Sequence, residues 1–102
     1  MNMRHMRVLV TRYGGPEVIT VIEEDIPTPK AGEVRVKVLA AGVSLPDVLA
    51  REGVHPETPR VPYMPGWDLV GTVDLVGDGV TGFELRETVV AMPIHGCYAQ
   101  YV

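Results

Sequence analysis

The sequence predicts a mainly β domain, a small barrel or sandwich of short strands with one two-turn helix. Three observations carry that prediction. EVRVKVLAAGV, residues 33–43, sets Val34, Val36 and Val38 against Arg35 and Lys37 in alternation, the period of a strand with one buried and one wet face. Turn formers punctuate the chain, with 11 Gly and 9 Pro in 102 residues. Only SLPDVLAREG, residues 44–53, combines a helical period with start and stop signals. One short helix in a many-stranded chain fits a closed or stacked sheet architecture.

The elements follow in order. MRVLVTR, residues 6–12, alternates and ends at Tyr13-Gly14-Gly15-Pro16, a strong breaker. PEVITVIEEDIP, residues 16–27, places Val18, Thr20 and Ile22 on one face and Ile19 and Val21 on the other, and Pro27 and Pro29 stiffen the loop that follows. After the strand at 33–43, Ser44 as N-cap and Asp47 three residues later form a capping box, Pro46 sits in the first turn and Gly53 marks the stop. Leu45, Val48 and Leu49 supply a single apolar stripe. Further strands are predicted over 68–76, 88–94 and 97–102.

Composition bounds the function. Apolar residues make up 46% and charged residues 22% of the chain, a globular balance. A net charge of −4 argues against nucleic acid or an anionic membrane as the main partner. No apolar run approaches the roughly 18 residues of a membrane span, and no signal-peptide pattern opens the chain. Cys97 is the single cysteine, so no internal disulfide forms and a cytoplasmic protein is expected. Soft metal ligands are confined to Cys97, His5, His55 and His95, and His95-x-Cys97 is too short to count as a site.

GDGVTG, residues 77–82, spells G-x-G-x-x-G after a strand. A dinucleotide fingerprint also needs a helix opening at the loop, whose amides hold the pyrophosphate, and an acid about 20 residues on. Only FELRE separates Gly82 from TVVAM, and no Asp or Glu follows Glu87. The run reads as a tight connection between strands.

The ordered pieces GEVRVKVLAAGVSLPD, LAREG, PYMPGWDLVGTVDLVGDGVTGFE and GCYAQYV together resemble the N-terminal, GroES-like domain of the medium-chain dehydrogenase/reductase superfamily. Within it they look most like the zinc-independent, quinone-oxidoreductase-like branch. The resemblance implies a partly open β-barrel with its helix at about 45–52, and no nucleotide-binding Rossmann domain within the chain. Residues 1–102 would form the substrate-side domain, incomplete without C-terminal return strands. In a longer enzyme it implies hydride transfer from NADPH (or NADH) to a small-molecule carbonyl or quinone, with the 102 residues alone inactive and binding no cofactor.

Site residues follow from the same resemblance. Ser44, Trp67 and Asp68 stand where zinc-dependent relatives carry Cys, His and an acid. A hydroxyl is a poor zinc ligand and an indole only donates, so no zinc is expected. Ser44, Asp47, Leu49 and Trp67 become a cleft wall near cofactor and substrate, with carbonyl polarisation falling to a hydroxyl or water near Ser44. Each also has a plainer role: N-cap for Ser44, first-turn charge for Asp47, packing for Leu49 and Trp67. No general acid is evident. A standalone, non-catalytic binding or assembly module is the alternative, since fold alone does not choose.

Two departures from the family pattern stand out. Arg86 takes a position where relatives usually carry a turn glycine, so a positive φ there would strain it. The return strands are missing, so one strand edge should stay open and favour self-association, with the uncharged CYAQYV, residues 97–102, as a β-prone template.

Overall fold

The computed structural model describes residues 3–102. β1 (Arg4–Val10) and β2 (Ile19–Asp25) form an antiparallel ribbon, and β3 (Val34–Ala41), β4 (Leu69–Val76) and β5 (Thr88–Ala91) form a second antiparallel sheet in that order. The helix α1 (Leu45–Glu52) links β3 to the long loop before β4. The architecture is the expected mainly β one, with the barrel left open. No parallel βαβ unit occurs among the described residues.

Strand ends depart from expectation for local reasons. Pro16–Val18 winds into a single 3-10 turn before β2, with Pro at its start and the Glu17 carboxylate accepting the Gly15 N–H at 3.2 Å. Val18 is therefore buried from a turn and not from the strand face assigned to it. β5 stops at Ala91, since Pro93 cannot donate to a ladder and Ile94 adopts φ 77°. In β3, Val36 is buried and Lys37 exposed, as the alternation requires. Arg35 is drawn in by Asp74 on β4, with Nε 2.7 Å and Nη2 2.6 Å from the same carboxylate oxygen.

Residues 97–102 do not form an open edge, which corrects the expectation for CYAQYV. They form a strap bonded to both sheets. Tyr98 accepts the Val8 N–H at 2.8 Å, and Gln100 donates to Met6 at 3.1 Å, both on β1. Gln100 also accepts the Val38 N–H at 2.9 Å, and Val102 exchanges two bonds with Val36, all on β3. The strap thus crosses from one sheet to the other at Gln100. Among the described residues, the edges without a strand partner are the outer sides of β2 and β5.

The apolar interior is correspondingly split. Val10, Val18, Ala50 and Tyr63 pack beneath the ribbon, while Val36, Leu69 and Cys97 pack beneath the second sheet with Val38, Val89 and Val102 around them. Direct packing between the strands of the two sheets is slight, so the strap carries much of the connection.

Arg86 has φ 73°. It is the third residue of a turn closed by the Glu87 N–H on the Glu84 carbonyl at 3.1 Å, a place that glycine fills without strain. Left-handed geometry costs a side-chain-bearing residue about 1–2 kcal/mol, against about 0.5–1 kcal/mol of added unfolded-chain freedom for glycine. Arg86→Gly should therefore stabilise the fold by about 0.5–1 kcal/mol, a rise of about 3–6 °C in Tm. An unchanged or lower Tm in thermal unfolding would contradict the strain assignment.

Candidate functional site

The end of β3, the start of α1, the loop before β4 and the strap converge on Asp47. As the third residue of α1, its side chain leans back toward the helix start and into the protein, where it is only 6% exposed. Its Oδ2 accepts the Ser44 N–H and the Ser44 hydroxyl, both at 3.0 Å, and the Tyr98 hydroxyl at 3.1 Å. Its Oδ1 accepts the Gly66 N–H at 3.1 Å. A carboxylate has about four acceptor positions, so the group is fully engaged.

The first-turn charge expected at Asp47 is therefore a buried hub. The capping box accounts for its bonds to Ser44. The bonds to Gly66 and Tyr98 tie the helix start to two distant segments. The Tyr98 hydroxyl also lies 3.0 Å from the Gly42 carbonyl, so its single proton is shared between two acceptors. Burial first, then the Asp47 charge and its hydrogen bond, raise the Tyr98 phenol far above its ordinary pKa. It stays a donor across the physiological range.

Gly66 adopts φ 113°, and a Cβ there would press on Tyr98 and Cys97. Its bareness lets the loop lie against the strap, where the Pro65 carbonyl accepts the Cys97 N–H at 3.1 Å and the Tyr98 N–H at 3.0 Å. Trp67 follows, half-buried, with its ring edge-on to His55 at 5.4 Å. Its carbonyl accepts the Ile94 N–H at 3.3 Å. Ile94 is β-branched and at φ 77°, a strained backbone beside the loop.

Asp68 accepts the Gly42 N–H at 3.2 Å. Beside it lies an open hollow of about 560 Å³ between Ala40–Gly42, Asp68–Val70 and Val90–Met92. A smaller hollow of about 280 Å³ runs from Val8 and Val10 past Val48 to Asp47 and Tyr98.

Of the four residues read as a cleft wall, the structure joins Ser44 to Asp47 directly and places Trp67 next to Gly66, which Asp47 holds. Leu49 stands apart. It is half-buried one turn further along α1 and lines neither hollow; its carbonyl takes the Val54 N–H at 2.9 Å. Tyr98, Gly66 and Gly42 join these residues without having been singled out from the sequence, and His55, named there only as a soft metal ligand, packs against Trp67. The Ser44 hydroxyl donates its proton to Asp47.

Ser44, Trp67 and Asp68, which the resemblance sets at zinc positions, offer a poor donor set for that metal. Ser44 and Asp68 are hydrogen-bonded as described, and Trp67 has no lone pair to give. Burial, with Asp68 and Asp47 nearby, pushes the Cys97 thiol up to about 11. Among the described residues, no three His, Cys, Asp or Glu side chains gather as a ligand set.

The glycine run is accounted for by packing. The Gly77 N–H goes to the Glu33 carbonyl at 2.8 Å, and the Asp78 carbonyl accepts the Gly32 N–H at 2.9 Å. A Cβ on Gly77 would collide with the Lys30 and Glu33 carbonyls. Turns and irregular chain, with no helix, lead from Gly82 to β5.

Asp47→Ala should leave the buried Gly66 amide without its acceptor and the Tyr98 hydroxyl with the Gly42 carbonyl alone, destabilising by about 2–3 kcal/mol. Ser44→Ala should cost about 1 kcal/mol, the loss of a cap. Urea midpoints measure both, and near-equal losses would show that Asp47 acts only as a capping partner.

Residues 30–102 match the model of the alcohol dehydrogenase GroES-like domain. The quinone oxidoreductase of Lama guanicoe is 37% identical over 98% of this chain, which covers 31% of that protein. The human quinone oxidoreductase is 37% identical over 97% of this chain and 30% of its own length. Among solved structures, the human synaptic vesicle membrane protein VAT-1 homolog-like protein superposes with a TM-score of 0.91 at 29% identity, over 98% of this chain and 32% of that one. A mycobacterial protein complexed with NADPH superposes with a TM-score of 0.82 at 34% identity, over 95% of this chain and 30% of its own. The chain thus spans about a third of the length of the curated relatives it matches. By sequence match and by fold, it belongs to the alcohol dehydrogenase GroES-like domain family.

Proposed function

We propose that residues 1–102 form the substrate-side domain of a cytoplasmic, zinc-independent oxidoreductase that uses NADPH or NADH to reduce quinone or enone carbonyls. The similarity of nearly the whole chain to quinone oxidoreductases carries this reading. The donor chemistry at Ser44, Trp67 and Asp68 supports its zinc-free part. In this reading the domain is completed by strands from elsewhere in the full enzyme.

In the full enzyme, bound NADPH would supply the hydride. This chain's part is position. Asp47 holds Ser44 at the helix start and Gly66, the residue before Trp67, in the loop. Ser44 Oγ would accept a hydrogen bond from an incoming hydroxyl or water, while Trp67 contributes apolar surface. The loop at 77–82 does not fit a pyrophosphate, because the Gly77 amide is spent on Glu33 and no helix begins there.

The test is a chimera in which this chain replaces the corresponding third of a quinone oxidoreductase. The expected outcome is NADPH-dependent quinone reduction that survives chelation, with far less than one zinc per chain by elemental analysis. The 102 residues alone should neither turn over nor bind NADPH at micromolar levels by calorimetry. A folded but inactive chimera, or one holding a tight stoichiometric zinc, contradicts the assignment.

Self-association belongs to the same reading, through β5 and not through the strap. The β2 edge is guarded by Glu23, Glu24 and Asp25, whereas β5 is uncharged and its Val90 is 80% exposed. Sedimentation over a hundredfold concentration range should show a dimer that Val90→Lys weakens. A monomer throughout removes this part of the proposal.

A further inference from the structure

The seam between the two sheets contains a buried titratable group that the site does not use. His5, on β1, is 3% exposed. Its Nδ1 accepts the Tyr101 N–H of the strap at 3.3 Å, which places the neutral ring's proton on Nε2. That nitrogen is buried with no hydrogen-bond partner among the described residues, and the Glu24 carboxylate of β2 is 4.0 Å away. The Tyr101 ring meets the imidazole edge-on at 6.0 Å.

The charged neighbours come from every element packed here. Arg7, two residues along β1, holds the same Glu24 oxygen at 2.6 Å. Arg35 of β3 lies 5.6 Å over the Tyr101 ring and is itself held by Asp74 of β4. A second proton on His5 would therefore enter a buried site between two guanidinium groups, with one shared carboxylate as counter-charge.

We propose that His5 is a proton-operated latch on the strap: the neutral imidazole holds the Tyr101 amide, and protonation turns that acceptor into a donor and loosens residues 100–102 from the seam. The mechanism is local. Two donors cannot face each other at hydrogen-bond distance, and the new charge draws the ring toward Glu24, away from Tyr101. The strap then loses one of its fixings on the β1 side, and the link between the half-cores weakens.

Sign and window follow from burial, the largest influence, which lowers the His5 pKa below its ordinary 6.5; Arg7 and Arg35 act the same way and Glu24 opposes them. The unfolded or opened chain then binds the proton more readily than the closed one. The stabilisation is fully present above the ordinary pKa and is lost as pH falls from there to the folded-state value.

The experiment is amide hydrogen exchange on the full chain from pH 7.5 downward, corrected for intrinsic rates, alongside the His5 imidazole titration by NMR. Within the window, Tyr101 protection should fall by about tenfold per pH unit, since one proton is linked to opening. His5→Gln offers an oxygen acceptor that does not titrate, and its Tyr101 protection should be flat over the same range. Pulled-down protection in the Gln variant equal to wild type would overturn the latch. So would wild-type protection that ignores pH, or whose midpoint lies well away from the imidazole titration, and this second comparison needs no variant.

Discussion

The fold depends on a change of hydrogen-bond partner at Gln100. In a regular strand a residue exchanges its N–H and C=O with the same neighbour. Gln100 sends its N–H to Met6 of the ribbon and receives the Val38 N–H of the other sheet on its carbonyl, while its side-chain oxygen takes the Met6 N–H at 2.8 Å. One residue therefore serves two sheets whose strands otherwise barely pack. The two small apolar clusters become parts of one domain because the strap buries Cys97 and brings Val102 against the second.

The same strap connects fold to site. Tyr98 lies two residues before the crossing and delivers its hydroxyl to Asp47, so the helix start, the Gly66 loop and the seam share one polar junction. Such a buried carboxylate needs all its donors in place. Ser44 and the Gly66 backbone beside Trp67 are thereby tied to an interior network that reaches well beyond their own loops.

The strands and helix were largely legible because their signals are local. The Val-x-Val-x-Val alternation and the Ser44–Asp47 box fix β3 and α1 to within a residue or two of where they lie. Arg86 was legible through the family resemblance, which sets a turn glycine at its position. The strap was not, since CYAQYV has strand-like composition but nothing in it records two partners, β1 from the chain's start and β3 from its middle. The Asp47 hub was half legible. Spacing shows the Ser44 contact three residues away, whereas Gly66 and Tyr98 are 19 and 51 residues distant and arrive only through tertiary packing. The glycine spelling alone is ambiguous, because close backbone approach and phosphate binding both ask for a missing Cβ; the missing helix and acid decide it in the sequence, and the Gly77 amide's bond to Glu33 supplies the physical reason.

The burial of Cys97 gives the molecule a built-in clock. Its thiol is fully enclosed, sits where the strap meets the second half-core, and is held protonated by its surroundings. A small alkylating reagent can reach that sulfur only when residues 97–102 lift away, and no other cysteine competes for it. The rate at which the chain takes up a single covalent label thus reads out how often the two halves come unstitched.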